Sequence, residues 1–349
     1  MSRPRRLRRP AVAVTAVLAI ALVASALVAL CLGPADITVA QVVGSALARL
    51  GWGGEALPPT QDAIVWQLRL PRIVAAALVG AGLAMVGAVM QAVTANPLAD
   101  PYLLGISSGA SLGAVTVIVA GAALAPPLAA FAGAALALVL TLTIGGVTVP
   151  TRTILAGVAV SAALSAATSL VIFWSATGDT YREILGWLLG SLAGATWTGV
   201  LAAAAALMLV GAALVASAAV LDAFGLGDRG ARSVGVDVSR ARPLLLIACA
   251  LLTGALVSMS GAIGFVGLVV PHAVRLIAGR AGRVHRTLLP LSALGGALLL
   301  LWVDTGARVA FEPRELPVGI VTALVGAPVV ALLLRRGACR MTLPAERAT

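Results

Sequence analysis

Few side chains in this 349-residue sequence can do covalent chemistry, and their spacing limits what that chemistry could be. Gly105-Ile106-Ser107-Ser108-Gly109 fits G-x-S-x-G, the pattern of a serine nucleophile held on a sharp strand-to-helix turn. A hydrolase built on it needs a histidine base and an acid within reach. The histidines are His272 and His285, both remote in sequence, and the flanks of Ser107 read as helix, so close packing by glycine and serine is the preferred reading. Two histidines without adjacent acids also make a poor metal site. Cys31, Cys249 and Cys339 are scattered, with no disulfide or metal spacing, and read as small buried hydrophobes. Asp304 and Arg308 stand four apart inside an apolar run and are expected to pair on one helix face. Arg275 lies near the end of another apolar run, where its stem can snorkel to water. All 24 basic residues are arginine. Without lysine the chain cannot carry the phosphate loop G-x-x-x-x-G-K-[ST]. If ATP drives its function, another subunit hydrolyses it.

These residues are positioned by apolar helices. The chain is 60% hydrophobic and 11% charged, with a mean hydropathy of +1.07, against about 45–50% and about 25% in soluble domains. Apolar windows long enough to span a bilayer recur along its length, without the alternation of a barrel strand. The expected fold is an all-α polytopic membrane protein forming a single transmembrane domain over residues 1–349. Ten spans are expected near 11–33, 73–93, 102–124, 127–149, 153–175, 197–220, 243–261, 263–279, 287–307 and 316–335. The opening MSRPRRLRRP and its apolar run imitate a signal peptide. The run is longer than a signal core, however, and Leu30 is too large for the position before a lipoprotein cysteine, so it reads as the first span with a cytoplasmic N-terminus. Seventeen arginines then fall in cytoplasmic segments, six in external ones and Arg275 in a span, which obeys the positive-inside rule. The +11 net charge is thus explained without nucleic acid. Arg69, Arg72 and Arg314 run against the trend. As external guanidiniums at helix mouths they could meet carboxylates of a soluble partner or lipid headgroups. Residues 34–72 and 177–196 are external segments with room for short surface helices. Residues 221–242, LDAFGLGDRGARSVGVDVSRAR, form the longest internal polar loop.

Five segments together resemble the permease subunits of type II ABC importers for iron-siderophore, haem and vitamin B12. They are VWQLRLPRIVAAALVGAGLAMVGAVMQAVTANPLADPYLLGISSGA (65–110), GLGDRGARSVGV (225–236), GAIGFVGLVVPHAVRL (261–276), LLPLSALGGALLLLWVDTGAR (288–308) and PRELPVGIVTALVGAP (313–328). The resemblance spans the chain from the first apolar run to the last. It implies ten helices and a two-fold dimer, with a second copy or a paralogue, around a central pathway. It also implies ATP-binding cassette ATPase subunits inside, which bind the ATP, and an extracytoplasmic substrate-binding protein outside. The permease itself would be no enzyme and hold no cofactor. Loop 221–242 would dock the ATPase through Leu226, Gly227, Asp228, Ala231, Arg232 and Gly235. Arg69, Arg72 and Arg314 would pair with glutamates of the binding protein, and Asn96 and Leu98 would border the cytoplasmic gate. Ferric siderophore is the expected cargo, with haem and vitamin B12 as alternatives, in a plasma-membrane permease whose termini are both cytoplasmic. An ion-coupled secondary transporter would require more intramembrane acids than the sequence offers.

Overall fold

A computed structural model describes residues 4–341 apart from 34, 36, 123–124, 147–148, 176–177, 280 and 311–313. Among the described residues the regular structure is helical, with no strand. The long helices are α1 (Pro4–Cys31), α2 (Leu70–Val93), α3 (Ile106–Ala120), α4 (Pro126–Gly145), α5 (Pro150–Ser175), α6 (Trp197–Ala216), α7 (Val238–Ser260), α8 (Val266–Ala278), α9 (His285–Val309) and α10 (Val318–Met341). Each overlaps one expected span. Seven are long and apolar enough to cross a membrane, and α3, α8 and the first part of α10 are shorter apolar helices. An all-helical solution follows from the solvent, because helices alone satisfy their backbone groups within one segment when no water is at hand.

The second span departs from expectation. It begins at Pro59 rather than near 73 and runs without a break to Val93. Pro71 would be expected to open a helix, since it lacks an N–H and its ring presses on the preceding turn. Instead the backbone widens into a π-helical stretch, Ile64–Arg69, just before it, and Leu70 N–H reaches back to Val65 O. The Trp66 carbonyl in this stretch accepts from Trp197 Nε1 on α6 (2.9 Å). Such single π turns absorb local misfit inside α-helices.

Helix α2 is the central post. In its most apolar stretch 83% of residues are buried, against 17% in α1. It packs on α9, α8, α7 and α6, while α3, α4 and α5 form a second group joined to it through α7. Two of these contacts are made backbone to backbone. A Cβ on Gly80 would overlap the Gly296 carbonyl of α9, and one on Gly87 would overlap the Gly267 carbonyl of α8. Small residues permit such approach, which supplies the packing that the hydrophobic effect cannot supply in lipid.

Gly87→Ala should therefore lower the melting temperature in detergent, because overpacking of this kind costs about 1–3 kcal/mol. Gly306→Ala, whose added methyl meets nothing within 4 Å, should not lower it and should raise it slightly, since alanine is the better helix former.

Candidate functional site

The long bundle brings its unusual polar residues to its two ends. At the first end, α2 begins, α9 finishes and α1 finishes. Arg72 donates from Nε to both Asp304 oxygens (3.1 and 2.9 Å) and from Nη2 to Oδ1 (3.0 Å), while Nη1 reaches Glu315 Oε2 (2.7 Å). The Arg72 and Asp304 side chains are 9% and 3% exposed, and Glu315 is 44% exposed at the rim. Two further guanidiniums close the C-terminus of α1. Arg69 donates to Leu30 O (2.7 Å) and Ala35 O (3.2 Å), and Arg308 donates to Ala29 O (2.9 Å). The last carbonyls of a helix lack intrahelical partners and carry partial negative charge, so cations suit them. Arg69, Arg72, Arg308 and Glu315 line one cavity of about 320 Å³.

Two expectations are corrected here. Asp304 does not take Arg308 as its hydrogen-bonded partner; it takes Arg72, 232 residues away, and Arg308 turns to α1. Arg69 and Arg72 are not solvated rim residues, being 5% and 7% exposed, because the helix begins before them and folds them into the bundle. Arg314 is exposed, as expected. The sequence reading named Arg308 without placing it beside Arg69 and Arg72; the fold makes that link.

At the opposite end α2 finishes, α8 finishes and α9 begins. Helix α2 stops at Thr94, and Ala95 takes a left-handed conformation (φ 50°) that turns the chain. Asn96 Oδ1 accepts from Leu98 N (3.0 Å), and Asn96 O accepts from Ala99 N (3.1 Å), a compact turn in which Asn96 and Leu98 are half-buried. Asp100 then caps the short 3-10 helix Pro101–Leu104 by accepting from Tyr102 N (2.9 Å). Burial pushes the Asp100 carboxyl up to about 6, against the Tyr102 N–H, which favours its charged form.

The 221–242 region forms two short helices, Ala218–Phe224 and Gly227–Ser233, then enters α7. Left-handed Gly227 (φ 75°) opens the second, and left-handed Gly235 (φ 89°) follows it by two residues. Asp228 accepts from Arg242 Nη1 and Nη2 (3.0 and 2.6 Å), and that guanidinium lies over the Phe224 ring. These hydrogen bonds hold the Asp228 carboxyl below the usual carboxylate range. Asp228 and fully buried Ala231 thus fasten the loop from beneath, whereas Leu226, Gly227, Arg232 and Gly235 are exposed together with Arg229 and Val234. The first helix is tied to α9 by Asp222 Oδ1, which takes the His285 backbone N–H and meets its ring Nδ1.

Ser107 lies near the start of α3, and among the described residues no strand leads into it. Gly109 meets the Gly133 carbonyl of α4 and Gly113 that of Ala129, so the G-x-S-x-G stretch is a packing surface. Among the described residues no group of His, Cys, Asp or Glu could hold a metal ion.

The geometry is that of a polytopic helical membrane protein with a charged, cross-tied end and a turn-and-loop end. Comparison with known proteins gives the family. Residues 20–336 match the model of the FecCD transport family. The chain is 44% identical over 285 residues to the cobalamin import system permease protein BtuC of Halobacterium salinarum, covering 80% of this chain and 75% of that one. It is 40% identical over 289 residues to the hemin transport system permease protein HmuU of Yersinia pestis, covering 79% and 85%. A solved structure of an inward-facing metal-chelate type ABC transporter superposes with a TM-score of 0.81 at 31% identity, covering 92% of this chain and 98% of that one. The chain belongs to the FecCD transport family: it is an integral membrane protein of the ABC importer permease class, whose ATP hydrolysis occurs in a separate subunit.

Two outcomes test the site. Arg72→Met should destabilise the protein by about 3–5 kcal/mol in detergent unfolding, because it strands buried Asp304; Asp304→Asn should cost less, because Arg72 keeps Glu315, and Arg72→Met/Asp304→Leu should recover most of the Arg72→Met loss. With its raised carboxyl, folded Asp100 binds its proton more tightly than the unfolded chain, whose carboxyl titrates near about 3.9. Asp100 therefore favours folding below pH 4 relative to neutral pH, and that advantage is lost as pH rises through about 6. Asp100→Asn should flatten that part of the melting-temperature profile between pH 4 and 7.

Proposed function

We propose that the chain is the pathway-forming subunit of an ATP-driven importer of a bulky metal chelate. The carrying observation is family membership over nearly the whole chain, joined to a sequence without lysine and therefore without a phosphate loop of its own. In this reading two permeases, identical or paralogous, enclose the pathway in the plasma membrane with their termini in the cytoplasm. Leu226, Gly227, Arg232 and Gly235 meet the ATPase on a face fastened from beneath by Asp228 and Ala231. Asn96 and Leu98 border the cytoplasmic gate. No cofactor is needed by the permease, and lipid surrounds it.

The proposed cargo is a ferric siderophore. A second reading is a macrocyclic chelate, favoured by relatives named for cobalamin and hemin. An extracytoplasmic binding protein would deliver it to the end that carries Arg69, Arg72 and Arg314. Of these, Arg314 is the surface residue, whereas Arg69 and Arg72 line a cavity with Arg308 and Glu315.

The test is uptake by liposomes holding the permease, its ATPase and its binding protein. Labelled ferric siderophore should accumulate only with ATP; accumulation of cobalamin or haem instead would replace the cargo assignment. Cargo movement by the permease alone would overturn the importer reading. Arg314→Glu should weaken binding-protein docking severalfold, with the difference shrinking as salt rises, since a rim contact is screened within a Debye length of about 8–10 Å. Docking unchanged in that variant would remove Arg314 from the interface.

A further inference from the structure

The polar tie at the gate end of α2 has no part in the reading above. Gln91, 5% exposed, donates from Nε2 to Gly267 O at the start of α8 (3.2 Å), and its Oε1 accepts from Arg275 Nη1 near the end of α8 (2.5 Å). One side chain thus joins α2 to both ends of the short helix α8. One turn earlier, Gly87 and Gly267 meet backbone to backbone, so the crossing point itself is fixed. Two non-glycine residues have positive φ among the described residues, Ala95 (50°) and Phe265 (68°). Ala95 follows Gln91 by four residues and opens the Asn96–Leu98 turn. Phe265 precedes Gly267 by two and opens α8. The tie therefore lies between these two left-handed residues.

The chemistry of the tie differs from that at the other end. Arg72 is held by carboxylates, and breaking that contact leaves opposite charges stranded in a buried site. Arg275 is held by a neutral amide, so the contact can open without separating opposite charges. Arg275 lies one turn from the end of α8, beyond which the chain leads to His285 and its Asp222 partner on the helix before the exposed loop. We propose that Gln91 and Arg275 are positioning residues for the Asn96–Leu98 turn: their bond holds the turn to α8 in the state described and is released and remade when the gate cycles. This rests on the importer reading for its role but not for its physics.

Two measurements test it. In the permease alone, with Cys31, Cys249 and Cys339 replaced, Leu98→Cys should react faster with a water-soluble thiol reagent when Gln91→Leu or Arg275→Met is added. An unchanged rate in both would overturn the tie whether or not the protein imports anything. In the assembled importer the amount of cargo moved per ATP should fall about three- to thirtyfold in either variant. The double variant should lose no more than the worse single one, because the Gln91–Arg275 bond is already lost in each. Gln91→Glu, which turns the Arg275 contact into a charge pair while giving up the donation to Gly267 O, should slow ATP hydrolysis and transport together and keep their ratio; a purely structural role predicts no such reversal. Losses that multiply in the double variant would overturn the proposal. A variant that assembles poorly is replaced by Gln91→Asn, which is one methylene too short to reach Arg275 and should speed thiol labelling in the same way. Wild-type liposomes that import nothing would count against the importer reading, while the labelling rates still decide the tie.

Discussion

The closeness of α2 to α9 and α8 governs the rest of the molecule. Between helices in lipid there is no water to expel, so association depends on dispersion and interhelical hydrogen bonds, and both fade within an ångström or two of separation. Gly80 against Gly296 and Gly87 against Gly267 set that separation at backbone contact. With α2 fixed in rotation and depth, the residues at its two ends have their surroundings decided. Arg72 faces Asp304 because α9 cannot slide, and Gln91 faces Gly267 because α8 cannot.

The Arg72–Asp304 end shows how a membrane bundle can hold three arginines without three carboxylates. Arg72 takes Asp304 and shares rim-exposed Glu315. Arg69 and Arg308 take main-chain carbonyls at the C-terminus of α1, where the helix leaves acceptors unfilled. Charge, hydrogen bonding and helix termination are solved together, and α1, α2, α9 and the segment entering α10 are bound into one unit. Arg314 stays exposed, one residue before the Glu315 that helps line the cavity.

The helical class and the apolar helices were legible in the sequence because each is written in contiguous apolar residues, and the polar segment 221–242 stood out for the same reason. Pairings across the bundle were not. Asp304 has an arginine four residues on, and local spacing offered Arg308 as its partner, yet the true partner sits on a helix 232 residues away. Nothing in a single sequence ranks those two choices, because the ranking depends on which helices touch. The start of the second span was missed for a related reason. Pro71 signals a helix start, and the π turn that lets the helix run through it leaves no residue pattern of its own. Gln91 passed unremarked because an uncharged amide in an apolar run gives no sign of a partner.

Strain and ties are distributed unequally between the two ends. Left-handed Ala95 and Phe265 each cost of order 1–3 kcal/mol and persist only where neighbours over-determine them. No such residue is found at the Arg72–Asp304 end among the described residues. That end is closed by charge pairs that are expensive to separate. At the turn-and-loop end, the Asn96–Leu98 turn is held by a neutral amide contact next to stored backbone strain, a combination that narrows the free-energy gap between two arrangements. A bundle with one stiff end and one nearly balanced end concentrates its motion at the balanced one. The Asn96–Leu98 turn lies on that end because α2 stops there, and Gln91, one turn before it, meets a carbonyl and a guanidinium rather than a carboxylate.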